Sequence, residues 1–433
     1  MPDKIPYAEK LPLMSQQAGI ERLPTQQQRF LQDQALALRF TQQELRRLTE
    51  IALDLNMWGE SPLESVWPPG EEQELPAKQR RQRLLATVTA HWQELKQGPN
   101  RYPRIPLATD YQSERIKRVM VDKERLGLGA CPVVSPRTRC CNLLTLDAVE
   151  NCGFDCSYCS IQSFYHGDEV RFDHSFADKL QDLKLDPDLI YHIGTGQSSD
   201  SLMWGNQAGI LDALVDFAGA NPNVILELKT KSKNISYLLK HPIPPNILCT
   251  WSLNTQTLIE HEEHLTASLE ERLQAARRVA DKGILVGFHF HPMIHYEHWR
   301  EDYTALFERL TRMFTPREVA LVSLGTLTYI KPVIKQLRAR SGFRSKILQM
   351  PLVESDGKLS YPQEIKSEMF SLAYASLAAW HGQVFFYLCM ENQRLWQPVF
   401  GFDYASNEAF EQAMKSSYMD KIECCRRSNL GVS

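Results

Sequence analysis

Between residues 141 and 325, short apolar runs with β-branched and aromatic residues alternate with amphipathic segments. The runs cover residues 141–148, 188–196, 224–231, 247–254, 283–292 and 319–325. The segments between them repeat apolar residues three and four positions apart, as helices do. Buried strands that alternate with helices predict a parallel sheet joined by right-handed crossovers. The pattern therefore predicts an α/β fold, a curved and partial (β/α)6 barrel of the TIM-like type.

The regions on either side of this alternation follow a different pattern. Residues 25–97 show helical spacing twice, with the turn-rich segment WPPGEEQELP between the two stretches. Beyond residue 331 the alternation weakens into helices over 332–340 and 363–380 and a strand over 383–389. We therefore expect a helical N-terminal extension over residues 1–103, the barrel over 104–337 and an α+β C-terminal cap over 338–433.

Composition indicates an ordinary globular protein in a reducing compartment. The 433 residues are 43% hydrophobic and 23% charged, with a formal net charge of −3 that offers no support for a polyanionic partner. Ten cysteines without a signal-peptide pattern are typical of the cytoplasm. No apolar run approaches the roughly 18 residues that a membrane helix requires. We expect a cytoplasmic protein that does not enter the membrane.

Three cysteines, Cys152, Cys156 and Cys159, lie close together in the segment NCGFDCSYC. An iron–sulfur cube is normally held by four thiolates, so three imply one iron that is open to another ligand. The segment follows the first predicted strand, and barrels carry their active sites at strand C-terminal ends. Zinc is an alternative, but no second CxxC or HxxxH pair completes such a site. Three neighbouring cysteines without a shared ligand are the other alternative.

The spacing C-x3-C-x2-C, with Tyr158 before the last cysteine, resembles the signature of radical S-adenosylmethionine (SAM) enzymes. Residues 251–299 resemble the spore photoproduct lyase family, through Ser-x-Asn, Ser-Leu-x-x-Arg, Gly-Phe and Glu-x-Trp. The resemblance covers about residues 143–337. It implies a [4Fe–4S] cluster whose open iron chelates SAM, reductive cleavage of SAM to a 5′-deoxyadenosyl radical, and hydrogen abstraction from a thymine dimer in DNA.

The resemblance also implies a set of SAM-binding residues at strand ends, Ser199, Lys231, Ser252 and Asn254. A lysine there can pair the SAM carboxylate as a point charge, although a lone surface lysine is the alternative. Ser252 and Asn254 alternate along one predicted strand and so share a face. They bond the ribose hydroxyls if that face is the barrel mouth, and otherwise cap a helix.

Two positions depart from the family pattern. The hydrogen-donor cysteine of the lyases falls at Gln197, and their radical-relay tyrosine falls at Ser160. The segment LVESDGKLSY is nearly neutral and does not resemble the basic hairpin that grips DNA in those lyases. Tyr158 is retained, and Cys389 could supply a hydrogen atom, so these two are the catalytic candidates. A buried cysteine that packs as a small apolar side chain is the alternative for Cys389.

The sequence therefore predicts a radical SAM enzyme with carbon–carbon lyase-like chemistry that repairs a nucleobase lesion. Its expected partners are SAM, damaged DNA and an electron donor such as flavodoxin or ferredoxin. Radical modification of a peptide, RNA or metabolite is an alternative function. A non-catalytic iron–sulfur sensor is a further alternative, but a sensor has no use for Lys231, Ser252 and Asn254.

Overall fold

The computed structural model describes residues 5–68, 75–106, 116–131, 138–160, 169–340, 342–355 and 358–429. Two residues of LVESDGKLSY, Asp356 and Gly357, lie outside this range. Contacts divide the chain into one unit of Met1–Gln112 with Tyr329–Lys358 and a second of Ser113–Thr328 with Leu359–Ser433. These divisions differ from the boundaries expected at 103/104 and 337/338, which stay a prediction about domains. No described helix is long and apolar enough to cross a membrane.

The helices are numbered in chain order. They are α1 Tyr7–Ala18, α2 Thr25–Leu38, α3 Gln42–Trp58, α4 Ala77–Glu94, α5 Phe176–Gln181, α6 Ile210–Ala220, α7 Ser236–Lys240, α8 Gln256–Glu262, α9 Leu269–Asp281, α10 Trp299–Met313, α11 Lys331–Ala339, α12 Gln363–Ser376, α13 Trp396–Phe400 and α14 Asn407–Asn429. Most begin or end within a few residues of a predicted helical segment.

The strands are mostly short outside the main sheet. They are β1 Lys117–Val121, β2 Leu128–Ala130, β3 Leu144–Leu146, β4 Val149–Glu150, β5 Asp155–Cys156, β6 Glu169–Asp173, β7 Tyr191–Thr195, β8 Val224–Thr230, β9 Ile247–Ser252, β10 Glu263–His264, β11 Val286–Met293, β12 Val319–Thr326, β13 Thr328–Tyr329, β14 Val353–Ser355, β15 Lys358–Ser360 and β16 Phe385–Leu388.

The first unit is built from helices α1 to α4 and α11. Helix α3 starts with a capping box in which the Thr41 hydroxyl accepts from the Glu44 N–H and the Glu44 carboxylate accepts from the Thr41 N–H. Asp54, buried on α3, accepts a hydrogen bond from Trp92 on α4 at 3.0 Å. It also pairs with Arg338 on α11 through two bonds of 2.7 Å. The N-terminal region is therefore helical, as expected, and α11 belongs with it.

The second unit contains an eight-stranded sheet of order β16-β12-β11-β9-β8-β7-β3-β2. All neighbouring strands are parallel except the pair β2 and β3. The six predicted strands correspond to β3, β7, β8, β9, β11 and β12. Every residue of β12 is buried, as parallel strands covered on both faces require. The prediction of a partial TIM-like α/β barrel is confirmed.

The strand predicted over residues 383–389 belongs to the barrel sheet and not to the C-terminal cap. It forms β16, which pairs in parallel with β12, so that Leu321 lies opposite Phe385. The sequence assigned this strand to the cap, whereas hydrogen bonding makes it the seventh parallel strand of the barrel sheet. A short apolar run indicates a buried strand but not the edge to which that strand is added.

Candidate active site

The cysteine loop follows β4, and hydrogen bonds of the Asn151 side chain and of the loop backbone fix its conformation. Asn151 has a positive φ of 69°. Its side chain accepts from the Cys152 N–H at 2.8 Å and donates to the Glu169 carbonyl at 2.9 Å. Strand β5 then pairs with β10, which places Cys156 opposite Glu263. The Cys159 N–H donates to the Cys156 carbonyl at 3.1 Å, so the last two cysteines lie on one tight turn.

In the three thiols of this loop, a charge on one thiol would raise the pKa of its neighbours. Cys156 is buried, and Cys152 and Cys159 are half-buried. Burial is the main cause that raises the pKa of the Cys152 and Cys156 thiols. No three His, Cys, Asp or Glu side chains in the described ranges surround a point where a single metal ion could sit. A cube attaches each thiolate to a different iron, so this donor set fits a cluster better than a zinc ion.

Gly153 lets the loop approach the segment after β7. A Cβ atom at this position would lie 2.3 Å from Met203 Cε and 2.8 Å from the Trp204 ring. The methionine side chain can rotate away. The indole is less free, because its Nε1 donates to the Ser199 hydroxyl at 3.3 Å.

We expect Gly153→Ala to lower the free energy of unfolding by about 1–3 kcal/mol, because overpacking displaces the loop. The iron content after reconstitution should fall with it. Chemical unfolding and iron analysis measure the two effects. Gly129→Ala is the matched control, because no atom lies within 4 Å of a Cβ there. A loss no larger than that of the control would contradict the close approach.

Glu263 is the centre of the polar network beside the loop. It is 2% exposed. Its carboxylate pairs with the buried Arg272 at 2.6 Å and lies 3.6 Å from Lys231 Nζ. It also accepts a hydrogen bond from the Tyr158 hydroxyl. Burial would raise the pKa of Glu263, but Arg272 and Lys231 outweigh burial and lower it to about 2.

Lys231 is held at both its backbone and its side chain. Its N–H donates to Asp200 Oδ2 at 2.7 Å, and its Nζ donates to the Tyr158 hydroxyl at 3.1 Å. The ammonium also lies 5.4 Å from the centre of the Tyr158 ring. Burial and then Glu263 raise the pKa of Tyr158 well above its usual value, so the phenol is neutral. Lys231 therefore contacts the cysteine loop directly, at Tyr158, and Glu263 contacts both of these residues.

The side chains of Ser252 and Asn254 differ in their hydrogen bonds within the protein. Asn254 Nδ2 donates to the Pro292 carbonyl at 3.1 Å, and its Oδ1 accepts from the Tyr303 hydroxyl at 2.6 Å. Within the described part of the chain, the Ser252 hydroxyl has no hydrogen-bond partner. Asn254 therefore braces the site, whereas Ser252 has a hydroxyl available for a ligand.

Asp200 has a structural role that the sequence did not reveal. Its Oδ1 accepts from the Leu202 and Met203 N–H groups at 3.0 and 2.9 Å and from the Thr230 hydroxyl at 2.7 Å. Asp200 thereby connects the loop after β7 to the end of β8, which Lys231 follows directly. The only local signal was an acidic residue at the end of the segment GTGQSSD.

A second polar cluster fills the barrel interior below this site. Glu227 on β8 is contacted by His192 at 2.9 Å, by His289 at 2.6 Å and by the Thr250 hydroxyl at 2.7 Å. Burial would raise the pKa of Glu227, but His289 and His192 outweigh it and hold this pKa well below its usual range. Burial and then Lys229 lower the pKa of His289 to about 4, so its ring is neutral and donates through Nε2–H.

Cys389 lies apart from the loop cysteines, just after β16. Its N–H donates to the Leu324 carbonyl at 2.8 Å, and its carbonyl is 3.3 Å from His291 Nε2. Its thiol lies with Cys131 and Cys140 rather than with the cluster loop. The structure therefore brings Tyr158, Lys231 and Asn254 into one network with the loop and places Ser199 beside Trp204. It does not bring Cys389 into that network.

The comparisons with known proteins agree with this geometry. The family model for spore photoproduct lyase matches residues 150–339. The spore photoproduct lyase of Clostridium acetobutylicum is 27% identical over 182 residues, 40% of this chain and 53% of that protein. A second, from Geobacillus sp., is 28% identical over 183 residues, 41% of this chain and 52% of that protein. This chain therefore spans about half the length of the curated relatives it matches.

Solved structures of spore photoproduct lyase share the fold of this chain. One spore photoproduct lyase mutant with bound AdoMet and dinucleoside spore photoproduct has a TM-score of 0.53 and 21% identity, over 67% of this chain and 89% of that one. Another mutant has a TM-score of 0.55 and 20% identity over the same shares. The cysteine loop, the Ser-Leu-x-x-Arg start of α9 and the parallel strands from β7 to β12 lie in the matched segment. Residues 150–339 of this chain are therefore similar in sequence to the spore photoproduct lyase family, and the barrel sheet shares the fold of its solved members.

Proposed function

We propose that this chain is a radical SAM enzyme in which Cys152, Cys156 and Cys159 hold a [4Fe–4S] cluster and SAM binds the open iron. One observation carries the proposal: three thiols lie on one short loop that comes shortly after β3, the first parallel strand of the barrel sheet. When bound and reduced, the cluster supplies the electron that cleaves SAM into methionine and a 5′-deoxyadenosyl radical. The protein contributes orientation, charge and exclusion of water.

The charges beside the loop suit a ligand with a carboxylate. Two cations, Lys231 and Arg272, face the single carboxylate of Glu263, and Tyr158 is neutral. Arg272 is fully buried and also donates to the carbonyls of Ala267 and Ser252 and to the Thr266 hydroxyl. Lys231 is 16% exposed at its side chain, so it is the cation that can reach a ligand. Its positive charge can then pair with the SAM carboxylate.

Ser252 provides a direct test of SAM binding. Its hydroxyl is placed at the end of β9 and is available to bond a ribose hydroxyl. Because one neutral hydrogen bond is worth about 0.5–1.5 kcal/mol, Ser252→Ala should raise the Kd for SAM roughly 2- to 13-fold. Isothermal titration of the reconstituted protein measures it. Ser236→Ala is the control, because Ser236 is an exposed residue of α7. Equal affinities in the two variants would contradict the role of Ser252.

For the substrate, we propose a nucleobase lesion in DNA, repaired by carbon–carbon lyase-like chemistry. The match to spore photoproduct lyases over residues 150–339 supports this substrate class. A second candidate is radical modification of a peptide, RNA or metabolite, and it is favoured by Gln197 and Ser160 at the positions of the family's donor and relay residues. The proposed electron donor is a flavodoxin or ferredoxin. None of the ten cysteines forms a disulfide, which suits a reducing compartment such as the cytoplasm.

Anaerobic reconstitution followed by dithionite and SAM tests the two levels of this proposal separately. Formation of 5′-deoxyadenosine, measured by chromatography, supports the radical SAM chemistry, and its absence from a protein with a full cluster would contradict that chemistry. An oligonucleotide that carries a thymine photoproduct then tests the substrate. Disappearance of the photoproduct supports repair. Production of 5′-deoxyadenosine with no loss of photoproduct would eliminate DNA repair and favour the second candidate.

A further inference from the structure

A lysine inside the barrel, Lys229, takes no part in the site described above. It lies on β8 two residues after Glu227, so the two side chains share one face of the strand. Glu227 is contacted at 2.6 Å by His289 on β11, although β9 lies between β8 and β11 in the sheet. A side chain reaches past an intervening strand only on the concave face of a curved sheet. Lys229 therefore points into the barrel.

The Lys229 side chain is half-buried, and its ammonium forms no ion pair and no hydrogen bond within the described part of the chain. The carboxylate on the same strand face, Glu227, is already contacted by His192, His289 and the Thr250 hydroxyl. An ammonium that gives up part of its hydration without gaining a partner destabilises the fold. An anion bound beside Lys229 would remove this penalty.

The surroundings of Lys229 show where its ammonium lies. Burial is the largest influence on the pKa of His289, His291 and Cys389, and the charge of Lys229 is the second largest on each. The two histidines lie on β11, and Cys389 directly follows β16. The ammonium therefore extends from β8 across the interior towards β11 and β16. Burial and Lys229 lower the pKa of both histidines, so both rings are neutral at neutral pH.

A second polar group without a partner lies on the same face of the sheet. Ser323 on β12 is opposite His289 in the parallel pairing of β11 and β12, so it too points into the barrel. Ser323 is 0% exposed, and its hydroxyl has no hydrogen-bond partner among the residues that the structure describes. Buried hydroxyls are normally hydrogen-bonded, so a lone one indicates a ligand or a solvent molecule beside it.

His291 connects the position of Ser323 with that of Lys229. A Cβ atom at Gly325 would lie 1.7 Å from His291 Nε2, so the imidazole ring lies over β12 at a position where only glycine leaves room. Gly325 is two residues after Ser323, on the same face of the strand. The ring on which Lys229 acts is thus next to the Ser323 hydroxyl along β12. Lys229 and Ser323 therefore border one part of the barrel interior.

We propose that Lys229 and Ser323 form an anion-binding subsite inside the barrel and that it holds a phosphodiester of the substrate. Lys229 supplies the positive charge and three N–H donors, and Ser323 supplies an O–H donor. Lysine commonly binds phosphate in this way, as a point charge. The choice of phosphate rests on the proposed DNA substrate, whose anionic groups are phosphates. A phosphate held here fixes the position of the adjoining base in the barrel.

A change of Lys229 to methionine separates ligand binding from a structural role. In the reconstituted full chain, Lys229→Met should leave the Tm unchanged or raise it, because it removes a half-buried charge that has no partner and keeps most of the apolar stem. Lys240→Met is the control, since Lys240 is an exposed lysine at the end of α7. If Lys229 instead serves to balance the charge of Glu227, its replacement lowers the Tm below that of the control, and this result would overturn the proposal.

Inorganic phosphate is the probe for the subsite itself. At constant ionic strength, replacing chloride by phosphate should raise the Tm of the parent protein and of Lys240→Met, but not that of Lys229→Met. Ser323→Ala should weaken phosphate binding about tenfold, because it removes one hydrogen bond to a charged group. Circular dichroism establishes that each variant is folded. Lys231→Gln should keep the shift. No shift in the parent protein, or a shift lost in Lys231→Gln and kept in Lys229→Met, would place phosphate elsewhere and refute the subsite.

The phosphodiester is tested with dithymidine phosphate and its uncharged methylphosphonate analogue, both without dithionite, so that no turnover is needed. The parent protein should bind the charged compound about tenfold more tightly, and Lys229→Met should bind the two equally. Equal binding by the parent protein, or a larger Tm shift with acetate than with phosphate, would rule out a phosphodiester. Because 5′-deoxyadenosine is measured separately, its absence beside a normal phosphate shift would contradict the radical chemistry and still support the subsite.

Discussion

Replacing Cys156 with alanine is expected to remove the iron–sulfur cluster of the reconstituted protein and all 5′-deoxyadenosine formation with it. Cys156 is the buried member of the three and lies in strand β5, so no neighbouring side chain can take its place. Two thiolates would remain for four irons, where a cube normally uses four. Iron per chain should fall from about four to below one, and the visible absorbance of the cluster should be lost.

The control for this experiment is Cys249→Ala. Cys249 is as buried as Cys156 but lies on β9 outside the loop, where burial alone raises its pKa. It should keep its iron and its SAM cleavage, with a loss of stability of about 1 kcal/mol from the removed sulfur. Absorbance retained in Cys156→Ala, or lost to the same extent in Cys249→Ala, would show that the ligand assignment is wrong.

Arg272→Met should lower the free energy of unfolding by about 3–5 kcal/mol, because the buried Glu263 carboxylate loses its closest cation and keeps only Lys231, 3.6 Å away. Arg272 is fully buried and makes four hydrogen bonds, to Ala267, Ser252, Glu263 and Thr266. Methionine preserves most of the apolar volume, so the loss reports the charge and hydrogen bonds. Denaturant unfolding measures it. SAM cleavage should fall as well, because Lys231 is then drawn to Glu263 and away from a ligand.

Arg309→Met is the matched control, since Arg309 pairs with Glu270 at the surface. An exposed pair is worth at most about 1 kcal/mol, so this variant should differ little from the parent protein. Combining Arg272→Met with Glu263→Gln removes both charges and should restore part of the stability, as a double-mutant cycle detects. Additive losses from the two replacements, or a loss from Arg272→Met equal to that of the control, would show that the buried pair is not coupled.

Much of the fold follows from the apolar pattern of the chain. The six predicted strands are found because each buried parallel strand is a continuous apolar run, and such a run is a local property of the sequence. Helix α9 likewise begins where Ser268 and Glu271 form a capping box. Strand β16 was recognised as a strand but was assigned to the cap, because its pairing with β12 depends on the path of the intervening chain.

Some residues of the candidate site could likewise be identified from sequence, and others could not. The three cysteines are spaced within eight residues, so their chemistry could be inferred from sequence, although their role as ligands stays a prediction. Glu263 was missed, because it meets Tyr158 across 105 residues of sequence. Its partner Arg272 was visible only as part of the Ser-Leu-x-x-Arg pattern. The Glu263 carboxylate becomes part of the site only because folding buries it next to the Arg272 guanidinium.

The sequence by itself determined the class of fold, the cluster motif and the family resemblance, because burial periodicity and short motifs are properties of neighbouring residues. Only the tertiary structure decided that Glu263 contacts both Lys231 and Tyr158, that the Ser252 hydroxyl is available, and that Cys389 lies near Cys131 and Cys140. These contacts are between residues that are far apart in sequence, and the distances between such residues depend on how the sheet curves. No local pattern encodes that curvature.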